Sequence, residues 1–174
     1  QTDSDGTRQG TLLLPRGVSA AMVHPDGTEE DMPSMSLRIT EYTVGTMGER
    51  AMPAELPPQS GYTYAFEVNA DEAVAADAVS IAFSEPVVYY VNNFLGFDVG
   101  TTVPVGAYDR EEGCWLPSES GIVLKILAVT AGSATVDITG DDIADEGSSL
   151  TSLGITDAEL RKLADLYAPG VSIW

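Results

Sequence analysis

Residues 136 to 147 read VDITGDDIADEG and place five carboxylates in twelve positions, with only small or apolar side chains between them. Oxygen donors at that density could capture a hard cation, and calcium is the ion that prefers such ligands. Aligned to the twelve-position calcium loop, Asp137, Thr139, Asp141, the backbone carbonyl of Ile143, and Asp145 fall at positions one, three, five, seven and nine. Two positions depart from that pattern. Position six, where the sharp turn needs glycine, is Asp142, and position twelve is Ser148 in place of a bidentate glutamate. The same composition also describes a solvated acidic connection that sets negative charge ahead of a helix.

Other chemistry-bearing residues stand apart from one another. Tyr89, Tyr90 and Trp115, with Tyr108, Asn92 and Asn93 close in sequence, could form the stacking platform and hydrogen-bonding groups of a sugar site; the same rings also fill ordinary β cores. His24 precedes Pro25 in a turn and has no second histidine, cysteine or nucleophile motif beside it, which makes it a surface turn residue. Glu111 and Glu112 are sequence neighbours, not the opposed pair of a glycosidase. Asp3 and Asp5 before Gly6 read as an Asx turn leading into the first strand. Cys114 beside Trp115 reads as a small buried hydrophobe, and a single thiol permits neither an intrachain disulfide nor a zinc cluster. No acid, base or nucleophile stands at a spacing that demands catalysis, so an enzyme is not expected.

The elements that would carry these residues are mostly strands. Nine runs, TLLL, SAAMV, SLRITEYTV, YTYAFEV, VSIAF, VVYYV, VPVGAY, GIVLKILAVT and SATVDIT, are β-rich, and several alternate with a period of two. In YTYAFEV, Tyr62, Tyr64, Phe66 and Val68 share one side, and Thr63, Ala65 and Glu67 the other. Turn residues in LPRGVS, HPDGT and TAGSA predict reversals, so TLLLPRGVSAAMV and GIVLKILAVTAGSATVDIT read as hairpins. Residues 46–60, rich in proline, read as a long crossover between sheets. DEAVAADAVS is open between a helical turn and a loop. Near the C-terminus Thr156 and Glu159 form a capping box, Ile155 and Leu160 a hydrophobic staple, and Leu160, Leu163, Leu166 and Tyr167 an apolar stripe closed by Pro169 and Gly170. The expected fold is mainly β, an antiparallel β-sandwich over residues 1–136, with an acidic loop and a short C-terminal α-helix, 137–174, packed on it.

With 174 residues and 44% hydrophobic content the chain can bury a core. Its 27 acidic against 8 basic residues, a formal charge of -19, repel phosphate backbones and anionic lipid surfaces, so nucleic acid is excluded as a partner. No run is long and apolar enough to span a bilayer, and QTDSDGTRQG lacks a signal peptide's basic start and apolar middle. The chain reads as a piece of something longer.

GTRQGTLLLPRG, ITEYTVG, NFLGF, VPVG, YDR and LGITDAE lie within stretches that run from about Gly6 to Trp174. Through them the chain resembles a module found upstream of the repeats in large bacterial RHS/YD-repeat (rearrangement hotspot) surface or secreted proteins. The order of hairpin, proline-rich crossover and PV-containing strand is more distantly similar to the β-sandwich modules of ankyrins and netrin receptors. The first resemblance implies a non-catalytic, extracellular or cell-surface structural and interaction module. Its partners would be other domains of the same long chain or cell-surface molecules, and a carbohydrate-binding module is the alternative. It also implies that the acidic loop descends from a fuller Asp/Gly calcium loop, in which Asp142 stands where a glycine is common.

Overall fold

Short β-branched and aromatic runs interrupted by Gly, Pro and Asp cannot sustain long elements, and the chain accordingly forms many brief strands. The computed structural model describes residues 1–43, 47–55 and 63–174. In chain order come β1 (Thr2–Asp3), β2 (Gly6–Thr7), β3 (Gly10–Leu13), β4 (Ala20–Val23), β5 (Glu29–Asp31) and β6 (Leu37–Glu41). A 3-10 turn (Glu49–Ala51), β7 (Phe66–Ala70), α1 (Asp71–Ala75), β8 (Ser80–Phe83) and β9 (Val88–Val91) follow. The rest comprises β10 (Thr102–Asp109), β11 (Cys114–Ile122), β12 (Leu124–Thr130), β13 (Ser133–Asp137), α2 (Ser148–Ser152), α3 (Asp157–Leu166) and β14 (Ser172–Ile173). The protein is mainly β, as its alternating runs predict, and all nine of those runs contain a strand. Val44, Tyr62 and much of the expected 46–60 crossover lie outside the described residues.

Contacts divide the chain into two compact units. One comprises Gln1–Leu13, Tyr89–Ala107 and Leu116–Trp174, the other Leu14–Val88 and Tyr108–Trp115. The compositional change at residue 136 falls inside the first.

In the first unit β12 pairs antiparallel with β13 on one side and β14 on the other. The expected 121–139 hairpin therefore forms. Its two-residue turn places Ala131 and Gly132 at φ 51° and 76°, the doubly left-handed geometry that matches strand twist. Alternation buries Leu124 and Ile126 from β12 and Ala134 and Val136 from β13, and α3 packs on β13 with Leu163 fully buried. Each of the leucine, isoleucine and valine side chains contributes about 1.5–3 kcal/mol relative to exposure. Thr156 caps α3, accepting the Glu159 amide at 3.2 Å, while the Thr156 amide reaches back to the Glu159 carboxylate at 3.4 Å. The apolar stripe is narrower than its spacing suggests. Leu163 and Tyr167 are buried and Leu160 is half-buried, but Leu166 is exposed, because the helix ends there and Tyr167 turns its hydroxyl to Thr11, 2.8 Å away.

In the second unit β4 is the centre of an antiparallel β5-β4-β8 sheet, and β6 pairs antiparallel with β7. Ala20, Met22, Met32, Ala70 and Ala73 form its buried cluster. DEAVAADAVS resolves as a single helical turn, α1, ended by Asp77 at φ 53°. In YTYAFEV the regular strand begins only at Phe66, and Ala65, on the side opposite Phe66, is buried.

One expected hairpin does not form. The turn after β3 is present, with the Val18 amide on the Pro15 carbonyl at 3.2 Å, but β3 pairs with β9 and β4 with β5 and β8. Local turn chemistry reverses the chain without dictating which edges then meet.

Candidate functional site

β13 delivers Asp137 to the end of the hairpin, where its side chain is only 1% exposed. A carboxylate that deep must be satisfied on both oxygens, and here the following turn does so. Oδ1 accepts the amides of Thr139 (2.9 Å) and Gly140 (2.7 Å), with the Thr139 hydroxyl at 3.3 Å. Oδ2 accepts the amide of Asp142 at 2.9 Å. Burial alone would raise the Asp137 pKa, but the Gly140, Thr139 and Asp142 amides outweigh it and hold the carboxyl below the usual carboxylate range.

Asp145 closes the loop from its far end. Its amide bonds the Val136 carbonyl at 2.8 Å, and its Oδ2 accepts the Ile138 amide at 2.8 Å and lies 3.4 Å from the Thr139 hydroxyl. Asp142 sits at φ 60°, so position six takes the left-handed conformation that normally selects glycine, with an aspartate in place. Its carboxylate meets the Lys125 ammonium at 2.5 Å. The loop is also clamped along residues 99–100: a Cβ on Gly140 would stand 2.6 Å from the Val99 carbonyl oxygen, and one on Gly100 2.9 Å from that of Thr139.

Of the five residues aligned to the calcium pattern, the fold thus brings together Asp137, Thr139 and Asp145. Asp141 instead accepts the Ile143 amide at 2.9 Å, and the Ile143 side chain is 66% exposed. Calcium takes roughly six to eight oxygens. Three residues are assembled here, and both oxygens of Asp137 and Oδ2 of Asp145 already accept backbone amides. Among the described residues no three His, Cys, Asp or Glu side chains converge into a metal-holding group. As arranged, the loop is closed by the chain's own amides.

The aromatic candidates serve the fold. Tyr90 is buried, its hydroxyl donates to the Glu159 carboxylate, and burial first and that carboxylate second push its phenol well above the usual range. Tyr89, next to it on β9, is half-buried. Trp115 belongs to the other unit, where its indole N–H donates to the Ala54 carbonyl at 3.2 Å and its ring meets Tyr108 edge-on at 5.5 Å. Asn92 Oδ1 accepts the Gln9 amide at 2.8 Å, and Asn93 both donates to and accepts from Phe97, so the Asn93 side chain is used within the fold.

The remaining candidates are structural. Asp5 donates its amide to Asp3 at 2.9 Å, the expected Asx turn, although it joins β1 to β2 and does not precede the first strand. The Arg8 guanidinium grips Asp3 through both oxygens, at 2.8 and 2.6 Å, and holds its pKa at about 2. His24 Nε2 lies 3.3 Å from Glu30 across the β4-β5 reversal. The Asp109 carboxylate accepts the amides of Glu111 and Glu112 in the β10-β11 turn. Cys114 is exposed, contrary to its expected burial: it opens β11, which among the described residues pairs with β10 alone, and both strands face solvent along most of their length.

Sequence reasoning missed Lys125. Counting back from the Ala131-Gly132 turn pairs Ile126 with Asp137, but a bulge between Ile126 and Ala128 shifts the register so that Lys125 faces Asp137. No family model, no curated protein and no solved structure matches this chain. Fold and site define it as a mainly β protein with a buried-carboxylate loop at the end of a hairpin. Among the described residues no helix is long and apolar enough to cross a membrane.

Proposed function

We propose that the chain is a non-catalytic structural and interaction module of a large bacterial surface or secreted protein of the RHS/YD-repeat type, working outside the cell. One observation carries this reading: Asp137, the buried carboxylate of the most acidic loop, uses both oxygens on the chain's own amides. A catalytic or metal-binding carboxylate needs an oxygen held free for its task. Asp3, Asp71 and Glu72 follow the same rule, bound respectively by Arg8, Arg38 and Ser36. The charge of -19 supports solubility in a salty exterior and opposes nucleic acid as a partner. The antiparallel sandwich expected for residues 1–136 belongs to this reading, and the paired strands supply the antiparallel pieces it needs.

The sequence flanking this segment in its full-length chain, with protease shaving of intact cells, tests the proposal. YD repeats downstream and loss of the segment on shaving support it; a short cytoplasmic chain contradicts it. The alternative, a carbohydrate-binding module, keeps either Tyr89 or Trp115 as a partly accessible ring. Saturable binding on a glycan array, abolished by Trp115→Ala, would favour that alternative.

A further inference from the structure

We infer that the Lys125 ammonium is a built-in cation for the 137–145 loop, so that this chain keeps the loop's shape without calcium. Lys125 faces Asp137 directly across the β12-β13 ladder, and its Nζ lies 2.5 Å from Asp142 Oδ1. It is thus beside the carboxylates at positions one and six of the calcium pattern. The Asp142 carboxylate first, and Asp137 at longer range, raise the Lys125 pKa and keep it charged. The departure that spoils the metal pattern, Asp142 in place of glycine, is the one that supplies the lysine's counter-anion. Meanwhile the amides of Ile138, Thr139, Gly140 and Asp142 bond the Asp145 and Asp137 carboxylates and hold the loop's backbone around the lysine's partners.

The Lys125-Asp142 pair is open to solvent, with side-chain exposures of 32% and 72%, so salt and water weaken its direct effect on stability. The informative quantity is therefore calcium dependence. The inference concerns the metal requirement alone, and its failure leaves the module reading standing.

The test compares thermal unfolding of the full chain in excess EGTA and in millimolar calcium chloride, for wild type, Lys125→Met and Lys125→Arg. A folded-state ion at about a hundredfold over its Kd would raise Tm by about 5–10 °C. Wild type and Lys125→Arg are expected to melt at the same temperature in both buffers, whereas Lys125→Met melts lower in EGTA and recovers with calcium. A wild-type Tm that rises with calcium, or a Lys125→Met protein as indifferent to calcium as wild type, overturns the inference. If Lys125→Met does not fold, calorimetric titration of calcium chloride into wild type decides: no saturable heat supports the built-in cation, and stoichiometric binding refutes it.

Discussion

Replacing Asp137 with asparagine keeps the side chain's size and removes one acceptor and one charge. The remaining carbonyl oxygen can still accept the Thr139 and Gly140 amides, but the new NH2 group faces the Asp142 amide, donor against donor. Hydrogen bonds to a charged acceptor contribute about 1.5–3 kcal/mol against about 0.5–1.5 for neutral ones, and an orphaned buried donor costs about 1–3 kcal/mol, so Asp137→Asn should lose about 3–5 kcal/mol. For a chain of this length that lowers Tm by about 6–20 °C. Asp141→Asn removes the same charge one turn further on, yet Asn can still accept the Ile143 amide, so its Tm should stay close to wild type. The pair separates hydrogen bonding from relief of acidic repulsion. Acid titration adds a second signature. The native Asp137 pKa lies below its ordinary value, so its stabilisation is complete above the ordinary carboxylate range and is lost as pH falls through the native value. Asp137→Asn should flatten that part of the stability curve. Equal melting temperatures for Asp137→Asn and Asp141→Asn, measured by calorimetry at neutral pH, would refute the reasoning.

Gly140→Ala should destabilise far more than Gly132→Ala. Both add a Cβ at positive φ, but at Gly140 it stands 2.6 Å from the Val99 carbonyl, while nothing lies within 4 Å at Gly132. Denaturant midpoints check this, and equal losses would contradict the clamp. Tyr90→Phe deletes the hydroxyl that holds Glu159 at the head of α3 and should cost about 1–3 kcal/mol, read as a lower urea midpoint with unchanged slope. Cys114 should react with a thiol reagent in the native state without denaturant, and protection until unfolding would contradict its exposure.

What could be read from the sequence was what local physics determines. The cap of α3 is set by two residues three apart, Thr156 and Glu159, and it formed as spaced. The 121–139 hairpin was legible because its strands and turn are contiguous. β5 was hidden because its residues, Glu29, Glu30 and Asp31, are all charged and exposed. β11 was legible only at its ends, in the strand expected around Cys114 and Trp115 and in the run that starts at Gly121, because its middle holds Pro117 and faces solvent on both sides, so burial imposes no alternation there. The false β3-β4 hairpin has a different cause: partner choice between edges is non-local, and TLLL finds β9 far along the chain. For the acidic loop, the oxygen donors and the special sixth position stood in the sequence. Which donors converge did not, since Asp137's burial and Lys125's approach depend on a one-residue bulge that composition does not mark.

The amide protons of Thr139, Gly140 and Asp142, followed by hydrogen exchange in excess chelator, report most directly on whether Asp137 holds the loop. Slow exchange at all three in wild type, with the Asp142 amide released in Asp137→Asn, is the result expected from bonds of 2.9, 2.7 and 2.9 Å to a buried carboxylate. Fast exchange at all three in the chelated wild-type protein would contradict it.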